Sequence, residues 1–184
     1  MTSKHSWQQL DSRIVYQNPW IKVREDKVVR PNGQPGIYGV VMTPPSVMIV
    51  PLTENGEVYM IGQNRYPTEK FSWELPAGGS DNQNLLTAAK RELKEETGLE
   101  AGSWEEIGSF QVMNGICSEI CHVFIARELR ATPGNSQDEE GITTVRIVAF
   151  SELLAMIRSG ECDDGMSIAA IMQAALYLGI LKQG

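Results

Sequence analysis

Polar and apolar residues alternate along Leu10 to Asn18 and again along Ile21 to Arg30, a period of two that predicts a pair of β-strands. Asn18-Pro19 breaks them apart, and Pro31-Asn32-Gly33 turns the chain into a further strand over Ile37 to Met42. Residues 1–43 therefore read as a small antiparallel β unit whose edges need covering. The pattern changes at Val47 to Leu52, a continuous apolar run that suits a central buried strand. Asn55-Gly56 predicts a hairpin that returns along Glu57 to Gly62. Phe71 to Leu75, Ile107 to Met113, Ile120 to Ala126 and Thr143 to Phe150 are further strands. Ala131 to Gly141 is polar and acidic, contains Pro133-Gly134, and reads as a mobile surface loop.

The period changes to that of a helix after Asn84. Leu86, Ala89, Leu93 and Thr97 recur at i, i+3, i+7 and i+11 and make one packed stripe, with Asn84 able to cap the start and Gly98 the end. Ser151 can cap a second helix ending at Gly160, and Asp164 or Ser167 a last one running to about Leu181. On the first helix Glu92, Glu95 and Glu96 share an arc roughly 100° wide, while Lys90, Arg91 and Lys94 fall on another. Like charges at i, i+4, as in Glu92 and Glu96, cost a few tenths of a kcal/mol, a penalty that a multivalent cation would remove. Just upstream lies the Gly-rich stretch Leu75-Pro76-Ala77-Gly78-Gly79. A loop and helix of this kind can set carboxylates and backbone oxygens around one spot. Magnesium suits such a place, because it takes a few carboxylates, keeps waters and is completed by substrate phosphates.

Composition narrows the field. With 184 residues the chain has room for one domain with a sizeable core, or for one domain and a small appendage. A net charge of −7 argues against nonspecific nucleic-acid binding, and means that a polyanionic substrate needs local Arg, Lys or metal. No apolar run is long enough to span a membrane. Met1-Thr2-Ser3-Lys4-His5 leads into polar sequence rather than an apolar signal core, so a cytoplasmic location is expected. Three cysteines do not make a disulfide framework. Cys117, Cys121 and His122 are close in sequence, but Cys121 and His122 point to opposite faces of a strand over Glu119 to Glu128, and no second ligand pair exists.

Gly78 through Leu99 resembles the signature of the Nudix hydrolases. Its second half matches at every fixed position: Arg91, Glu92, Leu93, Glu95, Glu96, Gly98 and Leu99. The first half departs. The spacing from Gly78 to Arg91 is one residue shorter than usual, and Gln83 or Asn84 stands where the family has its first Glu, a residue that orients the helix by pairing with the motif Arg. The departure touches loop geometry and rate rather than the metal cluster. The resemblance implies the α/β/α sandwich of the Nudix fold, with a mixed sheet, over residues 44–184. It also implies that the N-terminal β unit makes a homodimer, as in relatives that hydrolyse ADP-ribose and nucleotide sugars.

The resemblance further implies a Mg²⁺-dependent pyrophosphatase, Mn²⁺ being possible, with Glu92 and Glu96 as metal ligands, Glu95 third, and the backbone carbonyl of Ala77 adding a contact. An ion pair with Arg91 is the competing role for Glu95. The general base is expected on the late acidic loop at Glu140, with Glu139 next, or among the helix glutamates acting through metal-bound water. Arg65 resembles an Arg that grips a substrate phosphate, for which a bidentate guanidinium is suited. Glu74 matches a position near the substrate, or is a structural partner of Arg91. Trp20 and Trp73 could stack on a base, although aromatics more often serve the core. Asn114-Gly115 stands where ADP-ribose hydrolases have Pro-Gly, which leaves room for other sugars including GDP-mannose, and Glu119 is expected near the site. The substrate is thus a nucleoside diphosphate sugar, with ADP-ribose first. Two other readings are a nucleotide sensor without turnover and a hydrolase of oxidised nucleoside triphosphates. The intact glutamate half of the signature argues against the sensor, and the N-terminal unit with Arg65 against the triphosphate hydrolase.

Overall fold

A computed structural model describes residues 6–181; the polar segment Met1 to His5 lies outside the described residues. The chain divides into two compact units, Met1–Pro44 with Gln111–Ile120, and Pro45–Phe110 with Cys121–Gly184.

The first unit is built on β1 (Gln8–Gln17), β2 (Lys22–Val29) and β3 (Pro35–Met42), antiparallel in the order β1-β2-β3. The turn between β1 and β2 is set by Asn18, whose side-chain oxygen accepts from the backbone N–H groups of Trp20 and Ile21 at 2.9 and 2.8 Å. All of β1 is exposed, including Leu10, Ile14, Val15 and Tyr16. Trp7 meets Tyr38 edge-on. The segment 111–120 joins β3 through bonds from Val41 N–H to Ile116 C=O and from Ser118 N–H to Val41 C=O.

The second unit contains β4 (Ser46–Pro51), β5 (Glu57–Arg65), β6 (Lys70–Glu74), β7 (Ala77–Gly79), α1 (Leu85–Thr97), β8 (Leu99–Gln111), β9 (Ile120–Ala131), α2 (Gln137–Glu140), β10 (Ile142–Ala149), α3 (Phe150–Ser159) and α4 (Gly165–Tyr177), apart from Gln111 and Ile120 at strand ends. One sheet is mixed, in the order β7-β4-β9-β8, with β4 antiparallel to β7 and parallel to β9. The other is antiparallel, in the order β10-β5-β6. Every residue of β4 is buried, and both α1 and α4 pack against it, which gives the α/β/α layering expected from the sequence. The core beneath α1 joins Val47, Ile49, Ala88, Ala89, Leu93, Leu99, Phe124 and Ala126.

Several local expectations need correcting. Asn55-Gly56 does turn the chain, with Gly56 at φ +76°, but β4 and β5 lie in different sheets, and the turn between them is closed by the isolated Leu52–Val58 bridge. The reason is that β7 and β9 already occupy both edges of β4. The Gly-rich stretch is a short strand rather than a free loop, and the acidic stretch before Gly141 contains α2. That makes four helices among the described residues, not three. α3 begins at Phe150, so Ser151 lies inside it and does not cap it. For α4 the choice falls on Asp164, which accepts from Ser167 N–H at 2.7 Å, and the helix ends at Tyr177.

Ser167 in turn accepts from Leu75 N–H at 2.9 Å, so the cap of α4 also ties down the chain entering β7. Replacement Asp164→Ala is expected to cost about 1 kcal/mol, the usual worth of an N-cap. Urea denaturation checks this, and an unchanged midpoint would refute the role.

Candidate active site

The site is organised by α1. Asn84 Oδ1 accepts from Leu86 and Thr87 N–H at 3.0 and 3.4 Å, and Gly98, at φ +69°, closes the last turn through a bond to Lys94 C=O. Ala88, Ala89 and Leu93 fix the helix on the core, and that orientation carries Glu92 and Glu96 into burial as well, at 6% and 5% exposure. β7 lies opposite them, held in register by Val47↔Gly78 and Met48↔Ala77. Glu96 Oε2 accepts from Ala77 N–H at 2.8 Å. A Cβ at position 78 would stand 2.1 Å from Glu92 Oε1, so only glycine leaves room for that carboxylate.

Two like carboxylates in so dry a place resist ionisation. Burial pushes Glu92 up to about 7, against the pull of Arg91, with Glu95 and Glu140 adding repulsion. Burial likewise pushes Glu96 up to about 8, opposed by the Ala77 N–H bond and Arg65 and reinforced by Glu92 and Glu140. Arg91 binds Glu92 at 2.8 Å, Glu95 at 2.9 Å and the Gly79 carbonyl at 2.9 Å. Its Nη2 also reaches Asp81 at 3.1 Å, while Nε is buried without a partner among the described residues.

Asp81 was not singled out from sequence. Asn84 spends its side chain as the helix cap, and Asp81 gives Arg91 the carboxylate expected near Gln83 or Asn84. The available signal was that Asp81 is the only acidic residue between Gly78 and Arg91. Glu95 forms the ion pair with Arg91 and is less buried than Glu92 or Glu96.

Arg65, at the end of β5, donates from Nε to both Glu74 oxygens at 3.0 and 3.1 Å and from Nη2 at 2.5 Å. Glu74 is 3% exposed, so the partner of this residue is Arg65 rather than Arg91. α2 is tied to the last turn of α1 by bonds from Ser136 N–H to Glu95 C=O and from Gln137 Nε2 to Glu96 C=O, both 2.9 Å. Glu140 on α2 acts electrostatically on both buried glutamates; it and Glu139 beside it are both exposed. The second unit thus brings together Ala77, Glu92, Glu96, Arg65, Glu74 and Glu140.

Trp73 packs edge-on against Phe71 and lies under the Arg146 guanidinium, in the second unit. Trp20, Asn114 and Glu119 belong to the first unit. Trp20 is exposed, Asn114 sits in an exposed turn whose neighbour Gly115 accepts from the Tyr38 hydroxyl at 2.6 Å, and Glu119 accepts from Thr43 Oγ1 at 3.4 Å. His122 pairs with Glu106 at 2.7 Å, Cys117 is a half-buried free thiol, and Cys121 is buried.

Among the described residues no three His, Cys, Asp or Glu side chains enclose a metal ion by themselves. The donors present still fit a hard divalent cation. Two buried carboxylates that repel one another, beside the backbone of Ala77, form a partial oxygen shell of the kind Mg²⁺ completes with waters and substrate phosphates.

An α/β/α domain with buried glutamates on a Gly-flanked helix defines the class. Residues 42–164 match the profile of the NUDIX domain, and residues 7–41 that of the nucleoside diphosphate sugar hydrolase N-terminal domain. The chain belongs to the NUDIX family. It is 30% identical to an ADP-ribose pyrophosphatase of Bacillus subtilis (strain 168), over 92% of each chain. It is 31% identical to a GDP-mannose pyrophosphatase of Yersinia enterocolitica, over 70% of this chain and 71% of the relative. A solved structure described as an ADP compounds hydrolase shares the fold, with a TM-score of 0.83, 18% identity and 97% coverage of both chains.

The buried pair makes stability pH-dependent. Unfolded glutamates ionise near 4.5, whereas the folded chain keeps protons on Glu92 and Glu96 up to about 7 and about 8. The native state then binds more protons than the unfolded one, so without divalent metal its stability falls as pH rises from about 5 to about 8. Melting temperatures in EDTA should decline across that window, and Mg²⁺ should restore more at its upper end. A flat profile would refute the buried pair.

Proposed function

We propose that this NUDIX hydrolase cleaves the pyrophosphate bond of a nucleoside diphosphate sugar, ADP-ribose foremost, releasing a nucleoside monophosphate and a sugar phosphate. The observation that carries this reading is the burial of Glu92 and Glu96 against Gly78 and Ala77, with Arg65 and Glu140 acting electrostatically on Glu96. Similarity to ADP-ribose and GDP-mannose pyrophosphatases, together with the N-terminal profile, supports the substrate class. Asn114-Gly115 keeps GDP-mannose as the second substrate to try.

Bound Mg²⁺, or Mn²⁺, would neutralise the phosphoryl oxygens and lower the pKa of a coordinated water. Glu92 and Glu96, with the Ala77 carbonyl, would hold it. Arg65, kept rigid by two-oxygen bonding to Glu74, offers its remaining N–H groups to a phosphate and holds the leaving group. Glu140 takes a proton from the attacking water as the new P–O bond forms and the bridging P–O bond breaks. The tether of α2 to α1 fixes the helix that carries Glu140. Glu139 is the next candidate for the base, and Glu95, held by Arg91, the third ligand in reserve. Glu74 serves through Arg65.

The exposed apolar residues of β1, Leu10, Ile14, Val15 and Tyr16, support a homodimer through the N-terminal unit. No helix among the described residues is long and apolar enough to cross a membrane, in keeping with the proposed cytoplasmic location.

Purified protein with Mg²⁺ is expected to yield nucleoside monophosphate from at least one member of a diphosphate-sugar panel. No product from any member would end the proposal. Glu140→Gln should lower kcat by about 10²- to 10⁴-fold, the usual share of a general base, and wild-type turnover would move the base elsewhere. Arg65→Lys keeps the charge but loses the fork, and should raise KM about tenfold or more in steady-state kinetics.

A further inference from the structure

We propose that the outer side of α1 carries a second anion site, and that it takes a nucleoside monophosphate. A cavity of about 400 Å³ lies there, walled by Lys90, Arg91, Lys94, Glu100, Trp104 and Arg130. Small-molecule sites span roughly 300–1,000 Å³, so the volume fits a mononucleotide. In a chain of net charge −7, four cations facing one carboxylate is a marked local reversal of sign.

The charges do not cancel internally. Arg91 is already engaged by Asp81, Glu92 and Glu95. Glu100 is shared between Lys94 at 3.1 Å and Arg130 at 3.4 Å, and the Lys94 hydrogen bond, foremost, holds it below the usual carboxylate range. Lys90 is exposed and makes no ion pair among the described residues. Lys90, Lys94 and Arg130 set against Glu100 leave a surplus of two positive charges, the complement of a phosphate monoester dianion.

The aromatic wall selects beyond bare phosphate. Trp104 donates its indole N–H to Ala101 C=O at 3.1 Å and packs against the core beneath α1, so the ring is fixed before any ligand arrives. A base lying on a fixed indole gains stacking energy that inorganic phosphate cannot. Arg91 links the cavity to the catalytic pair, since the same guanidinium stands 2.8 Å from Glu92. Nucleoside monophosphates are also the product class of the reaction proposed above, but binding here does not rest on that reaction.

The test is calorimetric titration of the full chain, in Mg²⁺, with AMP and with inorganic phosphate. Lys94→Ala/Arg130→Ala should weaken AMP at least tenfold, Arg65→Gln should leave this site within twofold of the parent, and phosphate should bind at least tenfold more weakly than AMP. Unchanged AMP affinity in the double variant, loss confined to Arg65→Gln, or phosphate binding as well as AMP would each overturn the proposal. If the double variant fails to fold, Lys90→Ala, which removes an unpaired surface cation, should weaken AMP at least threefold, and unchanged affinity there is equally decisive. Substrate turnover, measured apart, reports on the catalytic reading.

Discussion

The structure turns on the enforced proximity of Glu92 and Glu96. Neither side chain would choose so dry a place. They are carried there because Ala88, Ala89 and Leu93 on the same helix belong to the core, and a helix cannot bury one face without its neighbours. β7 then closes the space, with Gly78 leaving the volume that the Glu92 carboxylate fills and Ala77 donating to Glu96. The fold thus supplies repulsion that a divalent cation relieves, an instance of stability given up where binding needs it.

The supports around the pair are short and specific. Asn84 and Gly98 fix where α1 starts and stops. Arg91 spans from Glu92 to Glu95, Asp81 and the Gly79 carbonyl, so one guanidinium sets the approach of β7 to the helix. A buried Glu74 anchors Arg65, a stronger restraint than a surface pair because both Glu74 oxygens are engaged. Ser136 and Gln137 hold α2 on the last turn of α1. The bonds of Gln137 to Glu96 and of Ala77 to Glu96 join elements far apart in sequence at one place.

Much of this was legible in the chain. The helix caps, the apolar stripe and the acidic arc of α1 follow from residue spacing alone, as does β4 from its unbroken apolar run. The pairing of β4 was not legible: Asn55-Gly56 signals a turn, but a turn does not say which sheet the returning strand joins. Ser151 looked like a cap because Ser is a cap residue, yet Phe150 is drawn into the core and starts the helix earlier. Asp81 escaped because its role depends on a left-handed backbone, φ +48°, that aims an exposed side chain at Arg91. The helical turn in the acidic stretch depends on tertiary bonds to α1, which no local propensity announces.

The most direct test is the double variant Glu92→Gln/Glu96→Gln, which keeps the shape of both side chains and removes their charge. Mn²⁺ titration followed by electron paramagnetic resonance, paired with thermal melting in EDTA at about pH 8, reads both sides of the account. Uptake of Mn²⁺ should be lost while the metal-free variant melts above its parent. Undiminished uptake, together with a lower melting temperature, would contradict it.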